Sequence, residues 1–199
     1  SQTFQTFNWG VDGDLPVPAD RDGDGSVDLV IFRPSNSTWY TRFANGTFET
    51  YPFGESGDKP VRGDFDGDGK SDIAVYRPSN NNWYFLKSTA GYFVQTWGEP
   101  GDVPATGDFD GDGKTDNAVF RPATGQWYLR QSSGGFVVQS WGEAGDVPVA
   151  AGYDGDGRAD MAVFRPSNST WYALASTTGM LIQQYGIPGD VPTQSAYNY

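Results

Sequence analysis

Asp64-Phe65-Asp66-Gly67-Asp68-Gly69-Lys70-Ser71-Asp72 runs directly into Ile73-Ala74-Val75-Tyr76-Arg77-Pro78. The first nine residues form an acidic loop punctuated by glycine. The next four are β-rich and continuously apolar, as a strand buried on both faces would be. The whole stretch returns with a period of 44, because Asp20, Asp64, Asp108 and Gly152 hold the same repeat position without insertion. The pairs Trp39-Tyr40, Trp83-Tyr84, Trp127-Tyr128 and Trp171-Tyr172 keep that spacing, as do the Arg-Pro pairs at Arg33, Arg77, Arg121 and Arg165. A fixed period of this length is the first thing that decides a fold.

Working outward from the loop, each period reads as four short strands. In the second unit they are predicted at 59–64, 72–77, 82–87 and 91–97. Pro78-Ser79-Asn80-Asn81 supplies a turn into Trp83-Tyr84-Phe85-Leu86, which suggests a hairpin. Four-stranded units of about 40–50 residues in tandem point to an all-β fold, a β-propeller of four blades, with a solenoid as the alternative. The repeats fall at about 15–58, 59–102, 103–146 and 147–190 in a single repeat domain spanning 1–199. Residues 1–23 are equivalent to 177–199, so the ends overlap. The terminal strands, predicted at 3–9 and 191–197, could close the ring, form a reduced fifth blade, or pair with a neighbour, since unpaired edges invite strand addition. Ala196 and Asn198 replace aspartates of the motif in the last copy, which favours a capping role.

The loop carries the chemistry. Four carboxylates in nine residues repel one another unless a cation sits among them. Calcium takes six to eight hard oxygen ligands, and such a loop can wrap it with positions 1, 3 and 5 and a position-7 carbonyl. Glycines at positions 4 and 6 permit the sharp turns. The expected ligands are Asp20, Asp22, Asp24, Ser26 and Asp28; Asp64, Asp66, Asp68, Lys70 and Asp72; and Asp108, Asp110, Asp112, Lys114 and Asp116. The fourth loop offers Asp154, Asp156, Arg158 and Asp160 but lacks the first Asp. The expectation is therefore three good Ca2+ sites and one marginal one. The pattern is not an EF-hand: position 12 is Ile31, Val75, Val119 or Val163 instead of a bidentate Glu, and a strand follows. The ninth-position Asp takes over as the closing ligand.

Charge agrees with this. The four loops hold 15 of the 25 acidic residues, and three or four Ca2+ would bring the formal charge from −12 to −6 or −4. An acidic chain argues against nucleic acid as a partner. No segment approaches membrane-spanning length. The chain has no Cys and no His, which removes disulfides, thiol catalysis and the commonest general base. The start, Ser1-Gln2-Thr3-Phe4, lacks the features of a signal peptide, so a secreted protein would be present here in its mature form.

The motif Gly-Asp-Phe-Asp-Gly-Asp-Gly-Lys-x-Asp, followed by Ala-Val-Phe-Arg-Pro and Trp-Tyr, resembles the FG-GAP/VCBS repeats of extracellular bacterial and integrin-like propellers. Phe53-Gly54 and the later Trp-Gly pairs match that family's aromatic-Gly element. The resemblance implies propeller blades, a structural Ca2+ between strands one and two of each, and roles in adhesion or ligand binding. Family members usually form seven or more blades.

Catalytic residues break a repeat, because one site needs unique groups. Here nearly every carboxylate is periodic, which argues against an enzyme. The leading functional expectation is an extracellular or cell-surface module binding a glycan or a cell-surface protein. Its ligand candidates are Trp39, Tyr40, Trp83, Tyr84, Trp127, Tyr128, Trp171 and Tyr172, whose rings could stack on sugars. The competing reading of those residues is structural: one aromatic of each pair packs inside the blade, and each Arg pairs with a Gly-Asp-x-Pro aspartate. The alternative function is a structural subunit of a surface or filamentous assembly, self-associating through its overlapping termini.

Overall fold

The apolar run after each acidic loop becomes the second strand of a blade. In a computed structural model describing residues 6–192, these strands are Leu29–Arg33 (β2), Ile73–Arg77 (β6), Asp116–Arg121 (β10) and Met161–Arg165 (β14). A short first strand precedes each loop: Leu15–Pro16 (β1), Lys59–Val61 (β5), Val103–Gly107 (β9) and Val147–Pro148 (β13). The Trp-Tyr pairs sit on the third strands, Thr38–Arg42 (β3), Asn82–Lys87 (β7), Gln126–Arg130 (β11) and Thr170–Ala175 (β15). Phe48–Pro52 (β4), Gly91–Thr96 (β8), Phe136–Ser140 (β12) and Gly179–Gln184 (β16) complete the blades.

Each repeat closes its own antiparallel sheet, in the orders β1-β2-β3-β4, β5-β6-β7-β8, β9-β10-β11-β12 and β13-β14-β15-β16. The chain is therefore a four-bladed β-propeller and not a solenoid, in which successive coils would share continuous sheets. Register repeats with the sequence: Ile31 faces Tyr40, Val75 faces Tyr84, Val119 faces Tyr128 and Val163 faces Tyr172.

The core lies between blades. Side chains alternate across a strand, so Ile73 and Val75 of β6 pack toward Phe32 and Trp39 of blade 1, while Ala74 and Tyr76 pack toward Val119 of blade 3. Phe120, Trp127 and Leu129 meet Ala150 and Val163 of blade 4 in the same way. Burial on both faces is why these strands read as unbroken apolar runs. Indole N–H groups tie the blades further: Trp97 donates to the Tyr128 carbonyl (3.3 Å) and Trp141 to that of Tyr172 (3.2 Å).

The remaining face differs. The cluster of Val149, Ala162, Phe164 and Ala173 with Trp171 contains blade 4 residues only, and Ile182 and Tyr185 are 54% and 75% exposed. Of the expected terminal strands, residues 1–5 and 193–199 lie outside the described residues, including Ala196 and Asn198. Residues 6–14 form no strand.

Candidate metal centre

The loops take one shape three times. The position-1 carboxylate bends the backbone around itself. Asp64 Oδ1 accepts the Gly67 N–H (2.6 Å) and Oδ2 accepts the Gly69 N–H (2.7 Å). Asp20 and Asp108 repeat the pattern with Gly23 and Gly25, and with Gly111 and Gly113. Gly67 and Gly69 have φ of 79° and 85°, the left-handed region where a side chain is strained. The expectation for positions 4 and 6 holds for that reason.

The ninth-position Asp closes the loop from the strand side. Asp72 is 2% exposed; its Oδ2 accepts the Phe65 N–H (2.8 Å) and its Oδ1 the Ser88 N–H (2.7 Å). Asp28, Asp116 and Asp160 are held by the same two bonds in their own blades. Burial pushes the Asp72 and Asp116 carboxyls up to about 6, against the amides that hold them down, with neighbouring loop carboxylates adding to the rise. Asp28 and Asp160 are raised for the same reason.

Asp20, Asp22 and Asp28; Asp64, Asp66 and Asp72; and Asp108, Asp110 and Asp116 each bring three carboxylate oxygens within 4.8 Å of one another. Positions 1, 3 and 9 therefore converge. Position 5 stands outside this group. Asp68 Oδ2 accepts the Ser88 hydroxyl (2.6 Å), and its Oδ1 accepts the Lys70 N–H (2.9 Å). Asp112 and Asp156 do the same with Ser132 and Lys114, and with Ser176 and Arg158. Asp24 accepts the Ser26 N–H (2.7 Å). The position-7 residues thus meet the loop through their N–H groups. Loop 4, with Gly152 in place of the first Asp, forms no such three-carboxylate group among the described residues.

A divalent cation fits these residues. Asp66 Oδ1 is buried without a hydrogen-bond donor, and an orphaned anionic oxygen of this kind is costly unless something positive meets it. Each bonded carboxylate oxygen keeps a further lone pair. The donor set is all oxygen, which suits Ca2+, Mg2+ or Mn2+ and not a thiolate- or imidazole-loving metal.

Sequence reasoning missed the hydroxyls that cover the loops. Thr89 donates its hydroxyl (2.7 Å) and its N–H (3.0 Å) to Asp66 Oδ2, and Ala90 adds an N–H (3.0 Å). Burial alone would raise Asp66, but the two Thr89 bonds, the Ala90 amide and the nearby Lys87 charge together outweigh it and hold the carboxyl low. Ser133 and Thr177 cover Asp110 and Asp154 likewise. The available signal was a hydroxyl pair at the period: Ser88-Thr89, Ser132-Ser133 and Ser176-Thr177, with Ala44-Asn45 as the exception.

Neighbouring loops are also joined. Ser71 N–H donates to the Asp20 carbonyl, Thr115 to that of Asp64 and Ala159 to that of Asp108, each at 2.7 Å.

The Trp-Tyr pairs separate, as alternation requires. Trp39, Trp83 and Trp127 are at most 2% exposed, so they are corrected from ligand candidates to core residues; their faces are filled by Phe32, Tyr76 and Phe120. Trp171 is half-buried and lines an apolar surface with Tyr172, Leu181 and Tyr185. Tyr40, Tyr84, Tyr128 and Tyr172 each carry an arginine guanidinium 4.2–4.4 Å from the ring centroid, from Arg33, Arg77, Arg121 and Arg165. One face of each tyrosine is therefore already taken. The same arginines bind Asp14, Asp58, Asp102 and Asp146 through two hydrogen bonds each.

The geometry can be set beside known proteins. An FG-GAP-like repeat model matches residues 64–119 and 108–163. Among solved structures the chain is similar to a streptogramin B lyase, with TM-score 0.60 and 13% identity over 90% of this chain and 57% of that one. It is similar to virginiamycin B lyase from Staphylococcus aureus, with TM-score 0.54 and 13% identity over 86% and 56%. An Agrocybe aegerita lectin, described as recognising non-reducing terminal N-acetylglucosamine, gives TM-score 0.55 and 17% identity over 88% and 52%. At these identities the likeness is one of fold, and the chain spans little more than half the length of each. Curated protein sequences give no match. Through repeats whose loops, strands and arginine pairs recur at one spacing, this chain belongs to the FG-GAP-like repeat family.

Proposed function

We propose that this chain is a calcium-stabilised, non-enzymatic binding module that works outside the cell, with carbohydrate as its ligand. The observation that carries the calcium part is the thrice-repeated carboxylate triad with its orphaned Asp66 oxygen. Calcium also suits an extracellular setting, where millimolar concentrations can fill loops that lack a bidentate closing Glu. The position-7 carbonyls of Ser26, Lys70 and Lys114 and waters would complete the shells.

Against catalysis stands the occupation of the reactive groups. The four repeated arginines are committed to aspartate pairs and tyrosine rings, and the loop carboxylates to backbone amides. The lyases among the similar structures share the fold at 13% identity, and fold alone assigns no chemistry. A lectin on the same fold supports the glycan reading. Calorimetric titration of the metal-free protein with Ca2+, followed by a glycan array in calcium, tests both halves. Absence of calcium binding removes the first half, and a blank array removes the second.

One observation favours a second reading, the assembly subunit: the apolar face of blade 4, where Leu181, Ile182 and Tyr185 are exposed among the described residues. Concentration-dependent polymers in electron micrographs, together with a blank array, would support assembly in place of glycan binding.

A further inference from the structure

A crevice of about 300 Å3 lies between blades 2 and 3, beside the second and third acidic loops, where Phe65, Lys114 and Thr115 help to line it. Its lining includes Lys87, Lys114 and Arg130 together with Phe93, Gln95 and Asn117, and no Asp or Glu. That is unusual in a chain with 25 acidic and 13 basic residues. None of the three cations enters an ion pair among the described residues, whereas the four repeated arginines are all paired. Lys87 is fixed in place: its ammonium donates to the Phe65 carbonyl (3.0 Å) and lies 5.4 Å from the Phe93 ring centroid. It keeps two further N–H donors. Phe93 is 48% exposed, so one face of a flat apolar ring is open to a ligand.

Lys87, Asn117 and Phe93 break the repeat. Lys87 stands where the other blades have Phe43, Gln131 and Ala175, and Asn117 where they have Leu29, Ile73 and Met161. Phe93 replaces Glu49, Val137 and Leu181, and Arg130, whose position in blade 1 is also an arginine (Arg42), stands where blades 2 and 4 have Leu86 and Leu174. At the corresponding place between blades 1 and 2, Glu49 is within 3.5 Å of Arg21, and Leu86 and Ile73 pack into the shared apolar cluster. Blade packing is thus satisfied elsewhere by apolar or paired side chains. Between blades 2 and 3 Lys114, like Lys70 and Arg158 at its repeat position, lays its side chain against a loop glycine of the preceding blade, whereas Lys87 and Arg130 enter no ion pair among the described residues.

We propose that this crevice binds one anionic sugar unit, ring against Phe93 and acidic group between Lys87 and Arg130, with Gln95 and Asn117 serving ring hydroxyls. The proposal rests on the carbohydrate reading and gives it a site and a class. An open aromatic face calls for a ligand with an apolar face of its own, which a bare phosphate or sulfate lacks. Carboxamides donate and accept, as sugar hydroxyls require. The guanidinium fork fits a carboxylate or a sulfate ester equally well. The volume is at the small end for ligand sites, enough for one or two rings. Because the chain as a whole is negative, attraction is local and screened within about 8 Å at physiological salt.

The test is calorimetry on the 199-residue chain in calcium, with four probes: a hyaluronan hexasaccharide for the carboxylate, a dextran sulfate oligomer for the sulfate, neutral dextran, and poly-glutamate. Binding of either charged saccharide, without binding of dextran or poly-glutamate, is the expected result, and which saccharide binds identifies the anion. The Lys87→Gln/Arg130→Gln double variant and Phe93→Ala should each weaken it at least tenfold. Arg42→Gln, at the blade 1 position equivalent to Arg130, should leave it unchanged. A melting temperature equal to that of the parent chain separates loss of binding from loss of folding. Saccharide binding that survives the double variant overturns the crevice and leaves the carbohydrate reading standing, as does an array that reports neutral glycans only. Equal binding of poly-glutamate overturns the sugar class, and no binding to any glycan overturns both.

Discussion

Arg77 holds Asp58 through two parallel hydrogen bonds, Nε to Oδ1 at 2.7 Å and Nη2 to Oδ2 at 2.9 Å. The Asp58 side chain is 1% exposed and that of Arg77 15%, and the guanidinium's third nitrogen reaches Glu55 at 3.1 Å. This fork joins the Gly-Asp-x-Pro turn before β5 to the end of β6. All four blades keep it, while only three keep a full acidic loop. Arg77→Ala strands a buried carboxylate and should cost about 3–5 kcal/mol. Asp58→Asn leaves Arg77 with Glu55 and partial solvent, and should cost clearly less. Urea titrations compare the two, and equal losses would contradict the asymmetry.

Chelation should destabilise the protein sharply. Ions that bind only the folded state stabilise it by about 2.7 kcal/mol per site at a hundredfold excess over Kd. Thermal melts with calcium and with EDTA should therefore differ by many degrees. Coincident melts would show that the triads do not bind metal.

The missing carboxylate of loop 4 is a testable gap. Loop 4 retains Asp154, Asp156 and Asp160, and Thr177 holds Asp154 down at about 2. Gly152→Asp should raise the calorimetric stoichiometry from three to four. A Cβ at Gly152 would lie 3.0 Å from the Arg158 carbonyl oxygen, so a small adjustment of the loop accompanies it. An unchanged stoichiometry would mean that the first Asp is not what loop 4 lacks.

Acid should help the metal-free protein. Asp72 and Asp116 have folded-state values of about 6, above the unfolded value of about 3.9. Over that window the folded state binds more protons than the unfolded chain, so stability is lost as pH rises through 6. The melting temperature in EDTA should be higher at pH 5 than at pH 7. With calcium the dependence should reverse, because the metal needs the deprotonated carboxylates. Parallel profiles with and without metal would sink this account.

Close approach of loops 2 and 3 can be probed at Gly63. A Cβ there would sit 2.4 Å from Thr115 Cγ2, and the Thr115 hydroxyl accepts the Asp64 N–H at 3.0 Å. Gly63→Ala should cost about 1–3 kcal/mol by overpacking. Adding Thr115→Gly should recover part of the loss, giving a favourable coupling in a double-mutant cycle. Additive effects would place the strain elsewhere.

Much of this was legible because the fold is periodic. The strand predicted at 82–87 is found as Asn82–Lys87, since alternation and turn chemistry both act locally. The strand predicted from 59 to 64 ends at Val61, and only a single bond from Asp72 N–H to the Gly63 carbonyl (2.7 Å) continues the pairing. The paired reading of Arg77 was available from chemistry, but its stacking on Tyr84 needed the register of β6 with β7. Asp68 has the spacing of a ligand, and the Ser88 hydroxyl that its Oδ2 accepts comes from 20 residues away, which the loop's own spacing does not show. Thr89 and the Lys87–Arg130 crevice were hidden for the same reason. They are made by residues from separate turns and blades, and for Thr89 the only trace in the sequence was the hydroxyl pair recurring at the period.

The three amide-to-carbonyl links between loops give the acidic-loop face a direction. Each loop hangs from the backbone of the one before it, from Ala159 to Asp108, Thr115 to Asp64 and Ser71 to Asp20. An ion that stiffens Asp64 therefore also steadies the carbonyl on which Thr115 rests, and filling one site makes the next cheaper to order. Such a row behaves as a one-dimensional chain with nearest-neighbour coupling. We expect calcium uptake to be cooperative, with a Hill coefficient above one, and Thr115→Pro, which removes the middle link's donor, to split one steep isotherm into two shallower ones.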